Sequence, residues 1–502
     1  MFPRFALFLL CGCLCLAQRV EVQEHVLDNG MRVLLLPRKG SFNVSVGWLA
    51  RVGSVNEHPG ITGISHLFEH MMFKGTNTIG TRNSEEDAKL NLEQDKIKAE
   101  IAKEERDLQR RVRLGEITDA NDPKNRSPRH QQLLAEFDKL IKRQSEILIK
   151  SDYDKIYKDQ GAAGINAGTS EDYTIYFLQL PTNKLELWFW MESDRLKNPV
   201  FREFYAERDV VHEERRRAVD STPTGLIMEQ FDAMFWKSSP YGWPVVGWPS
   251  DLQAITREDA NNYYAMYYAP NNLSIALVGD FEPEAALALA KKYFGRIPRG
   301  LHDPEPPRTV ETPQYAEKSM VASAETSPQA IIRFHTVADG NKDEPALLVL
   351  GNLLNGNTGR LFKSLVLDQQ VASGASAGNN GQKYEGYFEI RGVARPGKTP
   401  EDVEKALLKE LEKLQSEPIP ERELEKVKNN FAASNYRQLQ SDFFLMRTIL
   451  VADGNRGWRS INTDNDNIQK VTADDIQRVA KKYFLPENRS VLLINRKQGG
   501  AK

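Results

Sequence analysis

Two unbroken apolar runs, Ile275-Ala276-Leu277-Val278 and Val491-Leu492-Leu493-Ile494, each close the same longer pattern of polar and apolar positions. Thr256, Asp259, Tyr267, Pro270, Asn272 and Ser274 are matched by Thr472, Asp475, Tyr483, Pro486, Asn488 and Ser490, all at one offset of 216 residues. Both segments read as a Thr N-cap, an amphipathic helix, a Pro-Asn turn and a buried strand. A register kept over one structural plan points to duplication, so the chain is expected to be α+β, built as two related halves. The Pro-rich stretch from Pro298 to Pro313 is the natural linker. The expected halves are then residues 18–297 and 315–502, joined by 298–314.

One segment fits neither half. From about Ser84 to Gln160, Lys, Arg, Glu and Asp dominate. Leu90, Ile97, Ile101, Leu108 and Val112 recur at roughly helical spacing, and Leu133, Leu134, Phe137, Leu140, Ile141 and Leu148 resume after Asn121-Asp122-Pro123. This predicts an inserted helical hairpin over 84–160 with a solvated outer face, serving as a spacer or as an arm that docks a partner or gates a site. At the N-terminus, a single Arg4 precedes the apolar stretch Phe5 to Ala17, which is too short for the ~20 residues of a membrane span. It reads as an export signal over 1–17, with a lipid anchor at Cys13 as the minority reading, and predicts a periplasmic or secreted protein. No later run approaches a membrane span.

Composition narrows the chemistry. The 502 residues carry 67 Lys+Arg against 69 Asp+Glu, and this near-balance excludes a chain built to neutralise nucleic-acid phosphates. The three cysteines, Cys11, Cys13 and Cys15, all lie in the leader, so any metal ligands further on are His or carboxylate. Two of the eight histidines sit four residues apart in Gly63-Ile64-Ser65-His66-Leu67-Phe68-Glu69-His70-Met71-Met72-Phe73. On a helix His66, Glu69 and His70 share a face, so two imidazoles can grip one ion beside a carboxylate. Zinc hydrolases use three protein ligands, leave the fourth position to water, and need a nearby base, a role for which Glu69 is placed. For the third ligand, Glu207 and Glu214 are seven residues apart and share a helix face, while Glu213 points away. Spacing alone does not choose between them.

His66-Leu67-Phe68-Glu69-His70 resembles the inverted zinc motif H-x-x-E-H, and its surroundings resemble the insulinase/pitrilysin family of zinc peptidases, especially processing-peptidase-like bacterial members. The matching residues include Met71-Met72-Phe73-Lys74-Gly75-Thr76, Leu27-Asp28-Asn29-Gly30-Met31-Arg32-Val33, Ile165-Asn166-Ala167 with Tyr173, Pro240-Tyr241-Gly242, Val278-Gly279-Asp280 and Tyr293-Phe294-Gly295. The resemblance implies that Glu214 is the distal zinc ligand and Glu207 a supporting carboxylate. It further implies that Asn166 and Ala167 lie on an edge strand to which an extended peptide substrate adds.

Two departures stand out. Glu214 lies 144 residues beyond His70, a longer separation than the family's usual one, and the charged hairpin takes up the excess. In the second half, Val366 and Ser373 stand where family members often carry an Arg and a Tyr for the substrate carbonyl. The equivalent second-half helix, Gly351-Asn352-Leu353-Leu354-Asn355-Gly356, has no histidine. The resemblance therefore implies a zinc endopeptidase that acts as the zinc-bearing subunit of a heterodimer whose partner supplies Arg and Tyr, with a homodimer as the other arrangement. A non-catalytic scaffold of the same fold is the competing reading.

Overall fold

The computed structural model describes residues 19–497, so the apolar leader with its three cysteines lies outside the described residues. The first sheet contains β1 (Gln23–Val26), β2 (Arg32–Pro37), β3 (Asn43–Ala50), β4 (Ala163–Thr169), β5 (Thr174–Pro181) and β6 (Leu273–Gly279), in the order β1-β2-β6-β3-β5-β4. The second contains β7 (Lys318–Ala324), β8 (Gln329–Thr336), β9 (Ala372–Gly381), β10 (Gly386–Ala394) and β11 (Arg489–Arg496), in the order β7-β11-β8-β10-β9. Each sheet has one parallel pair, β2 with β6 and β7 with β11, and is otherwise antiparallel. Apart from β1 the two orders superimpose, and the repeated apolar runs become β6 and β11, which occupy the same place in each sheet.

The repeat extends to single hydrogen bonds. Thr256 with Asp259 and Thr472 with Asp475 form capping boxes on equivalent helices. Asn272 Nδ2 donates to Tyr267 O and Asn488 Nδ2 to Tyr483 O, both at 2.8 Å, closing the two Pro-Asn turns identically.

An unbroken apolar run is buried on both faces, so each sheet needs a second layer. Each half supplies that layer to the other. Helix Asp442–Asn455 lays Leu445, Met446, Ile449 and Leu450 on the outer face of the first sheet, against Leu34, Leu49, Ile175, Phe177 and Val278. Its Asp453 accepts from Arg51 and Ser274 and pairs with Arg32. In return, helix Gly225–Phe235 sets Phe231 against Ile331, Leu492 and Ile494 of the second sheet, and Phe235 stacks on His335 at 3.9 Å between ring centroids. Residues 298–314 carry no helix or strand, yet the cores do not part there, because the covering helices cross over.

The inserted pair is formed by helices Ser84–Arg113 and Pro128–Ile147. It ends earlier than the 84–160 expected from charge. Leu148 bridges back to Thr81, and helix Asp152–Asp159 belongs to the first core, where Tyr153 and Tyr157 donate to the buried Glu192 at 3.1 and 2.6 Å. Nor is the pair solvated along its whole length. Ile101, Leu133 and Phe137 join the core, and Asp87 is ion-paired at 2.7 Å with Arg202, both side chains 2% exposed. Among the described residues no helix is long and apolar enough to cross a membrane.

Candidate metal centre

The short helix Ile64–Met71 is held at both ends. Ile64, Leu67, Phe68 and Met71 anchor its apolar face in the core, leaving His66, Glu69 and His70 half-buried on the other side. Gly63 precedes it at φ +90°, in the left-handed region that favours glycine. The Glu57 carboxylate accepts from Gly63 N and Ser65 N, both at 2.8 Å, satisfying two donors that the helix itself leaves free. At the C-terminal end, Tyr176 Oη donates to Phe68 O at 3.1 Å and Arg195 to Met72 O at 3.2 Å.

Helix Phe204–Arg215 brings Glu207 and Glu214 to different places on this face. Glu214 Oε2 lies 3.7 Å from His66 Nε2 and 3.4 Å from His70 Nε2, and the two rings stand nearly perpendicular at 5.2 Å. These three residues can offer donor atoms all within 4.8 Å of one another. An ion bound tetrahedrally by N and O donors at about 2.0–2.2 Å spaces them by about 3.3–3.6 Å, so the donor set suits zinc in chemistry, and the two histidine–glutamate separations of 3.7 and 3.4 Å lie close to that spacing. Glu207 instead lies 3.4 Å from His70 Nδ1 and is ion-paired with Lys74. The geometry thus separates the two glutamates that spacing left equivalent. Glu213 turns away and pairs with Arg216 and Arg217.

Electrostatics follow the same division. Burial, reinforced by His70, lowers His66 to about 4 and keeps its imidazole neutral, the form that ligates a metal. Burial opposes protonation of His70 as well, but Glu207, Glu214 and Glu69 outweigh it and raise its pKa. For Glu207, burial is outweighed by His70 and Lys74, so its carboxylate lies below the ordinary range and stays ionised.

Glu69 faces the end of β4, where Thr169 Oγ1 donates to Glu69 Oε2 at 2.8 Å. β4 pairs only with β5 among the described residues and is therefore an edge strand. Asn166 is exposed on it, paired in register with Phe177, and Ala167 with Tyr176; the Asn166 side chain accepts from Ala167 N at 2.9 Å. A cleft of about 540 Å³ runs alongside, lined by Glu69, His70, Phe73, Asn166, Glu207 and the chain returning from the inserted pair at 148–154. In the second half, Val366 is buried and the Ser373 hydroxyl donates to Val393 O at 3.2 Å. Leu350, Leu353 and Leu354 fill the core from helix Glu344–Leu354.

Three contributors have a role that the sequence does not reveal. Glu57, Thr169 and Lys74 are single polar residues in loops or at element ends, where no periodicity marks them. Burial pushes Glu57 up to about 8 even though its two backbone donors favour ionisation. The folded state therefore holds that proton more tightly than the unfolded chain, and stability falls as pH rises from the ordinary carboxylate range through about 8. Glu57→Ala is expected to cost about 1–3 kcal/mol for each of the two N–H groups it strands and to flatten that slope, as denaturant titrations across pH would show.

The fold and the site together define a class: two repeated sheets, with a histidine–carboxylate cluster beneath a free edge strand. Two family models match the chain, Insulinase (Peptidase family M16) over residues 32–110 and Peptidase M16 inactive domain over 254–431. Zinc protease PqqE of Helicobacter pylori is 27% identical over 477 residues, spanning 92% of this chain and 90% of that protein. A solved protease from Helicobacter pylori is similar with a TM-score of 0.76 at 24% identity, covering 94% of this chain and 99% of that one. The periplasmic protease PqqL of Escherichia coli is similar with a TM-score of 0.69 at 17% identity, over 96% of this chain and 48% of its own. The chain belongs to the insulinase/pitrilysin family, peptidase family M16.

Proposed function

We propose that this protein is a zinc-dependent endopeptidase that cleaves extended or unfolded polypeptides. The observation that carries the reading is the convergence of His66, His70 and Glu214, from two helices far apart in sequence, at separations suited to one tetrahedral ion. Zinc held there would supply a Lewis acid to the scissile carbonyl and bring the pKa of a water down to about 7. Glu69 takes the proton of the attacking water and returns it to the leaving amine. Thr169 fixes one Glu69 oxygen by its hydrogen bond and leaves the other for proton transfer. Glu207 orients the His70 ring from its Nδ1 side, and Lys74 keeps Glu207 in place. The free edge of β4, with Asn166 and Ala167, pairs with the substrate backbone, a mode that selects for extended segments before side chains.

Val366 and Ser373 offer no cation or phenol for the substrate carbonyl. A homologous partner subunit supplies them, making this chain the zinc-bearing subunit of a heterodimer, and the apolar leader exports it. A scaffold role is not favoured, since pairing alone does not require His66, Glu69, His70 and Glu214 together.

Purified protein assayed on an unstructured polypeptide and on a folded one, with and without chelator, tests the reading. Cleavage of the unstructured form alone, lost with chelator and restored by zinc, is expected. The homologous subunit should raise kcat/KM by about 10²–10³, the value of a lost carbonyl donor. Chelator-resistant cleavage contradicts the zinc reading, and full activity without the second subunit removes the need for a partner.

A further inference from the structure

We infer that Arg215 is a positioning residue that registers the glutamate helix against the start of the His66–His70 helix and thereby sets the size of the zinc pocket. The inference rests on the zinc reading above and deepens it.

His66 and His70 share one rigid helix, so their relative placement is built in. Glu214 comes from a second helix, its side chain is 45% exposed, and no hydrogen bond holds its carboxylate among the described residues. The separation of the third donor therefore depends on how the two helices are registered. Glu214 also lies where the α-helix gives way to a π-helical turn, Arg216–Asp220, so its own helix does not continue in regular register to fix it.

The residue that follows makes the connection. Arg215 is 2% exposed and donates from one guanidinium nitrogen to Gly247 O at 2.8 Å, while Glu229 at 2.8 Å and Asp220 at 3.4 Å balance its buried charge. Gly247 in turn touches the start of the histidine helix backbone to backbone. It lies at φ +83°, and a Cβ there would come 2.3 Å from Thr62 O and 2.6 Å from Gly63 Cα. Thr62 is held on the same side, since its hydroxyl accepts from Trp248 N at 3.0 Å and donates to Asp251 at 2.7 Å. The path from Glu214 to His66 is thus Arg215, Gly247 and Gly63, with no flexible side chain between the last two.

The test measures zinc dissociation constants by competition with a chromogenic chelator, together with heat-unfolding midpoints of the metal-free proteins. Wild type, Arg215→Met, Gly247→Ala, the double variant and Arg333→Met are compared. Arg333 is a control, a buried arginine on β8 of the second sheet, paired with Glu389 on β10 and with Asp232 on helix Gly225–Phe235. Arg215→Met and Gly247→Ala are each expected to weaken zinc roughly 10- to 100-fold, as supporting residues of metal sites do. The double variant should be little worse than the weaker single, because both cut one path. Arg333→Met lowers the midpoint and leaves the zinc constant unchanged. Gly247→Ala keeps the test decisive if Arg215→Met does not fold. Wild-type zinc affinity in the Arg215 and Gly247 variants overturns the inference, as does equal weakening in Arg333→Met. A wild type that binds no zinc overturns the reading beneath it.

Discussion

Glu69→Gln is expected to suppress peptide hydrolysis, with kcat falling by about 10²–10⁴, while zinc content and unfolding midpoint stay at wild-type values. The amide has nearly the same shape, retains an oxygen to accept from Thr169 Oγ1, and leaves the three-donor cluster of His66, His70 and Glu214 intact. What it cannot do is accept a proton. Metal analysis alongside the cleavage assay separates this outcome from the alternatives: loss of zinc together with activity places Glu69 in the metal shell, and retained activity removes it from the chemistry. KM is expected to change little, since the proposed peptide-binding surface is the edge of β4 rather than this carboxylate.

Glu214→Ala is expected to have an effect of similar size by a different route. Removing it leaves two imidazoles on one helix, which cannot complete a three-ligand site, so zinc is lost at micromolar concentrations and activity falls with it. The fold should tolerate the change, because Glu214 is the most exposed of the three donors and its carboxylate makes no hydrogen bond among the described residues. Glu207→Ala, by contrast, should retain weakened zinc, because Glu207 meets His70 at Nδ1, the nitrogen that faces away from the cluster. The pair of variants reads out in the laboratory the difference between two glutamates that look alike in sequence.

That pair also marks the limit of what sequence carries. The i, i+3, i+4 spacing of His66, Glu69 and His70 follows from helix geometry alone and needs no tertiary information. The choice between Glu207 and Glu214 is a matter of ångströms between helices, and a spacing of seven residues leaves both on the same face. The duplicated halves were legible because the Thr, Pro and Asn positions each perform a local job, capping a helix or closing a turn, that any copy must repeat. The crossing of the covering helices was not. The continuous apolar runs of β6 and β11 require cover on both faces, but no local pattern says that Asp442–Asn455 covers the first sheet or that Gly225–Phe235 covers the second. The end of the inserted pair was blurred for a related reason. Tyr153 and Tyr157 sit among Asp152, Asp154, Lys155 and Lys158, so a core helix carries the charge signature of a surface one, and only the hydrogen bonds of both phenols to Glu192 reveal it. Glu57 is a lone carboxylate in a loop, and its capping role exists only once the helix has folded against it.

Diffraction from crystals grown with zinc, recorded on both sides of the zinc absorption edge, tests the central claim most directly. One strong anomalous peak is expected about 2.0–2.2 Å from His66 Nε2, His70 Nε2 and a Glu214 oxygen, absent from crystals of Glu214→Ala. A peak bound by Glu207 in place of Glu214, or no peak in the wild type, would contradict it.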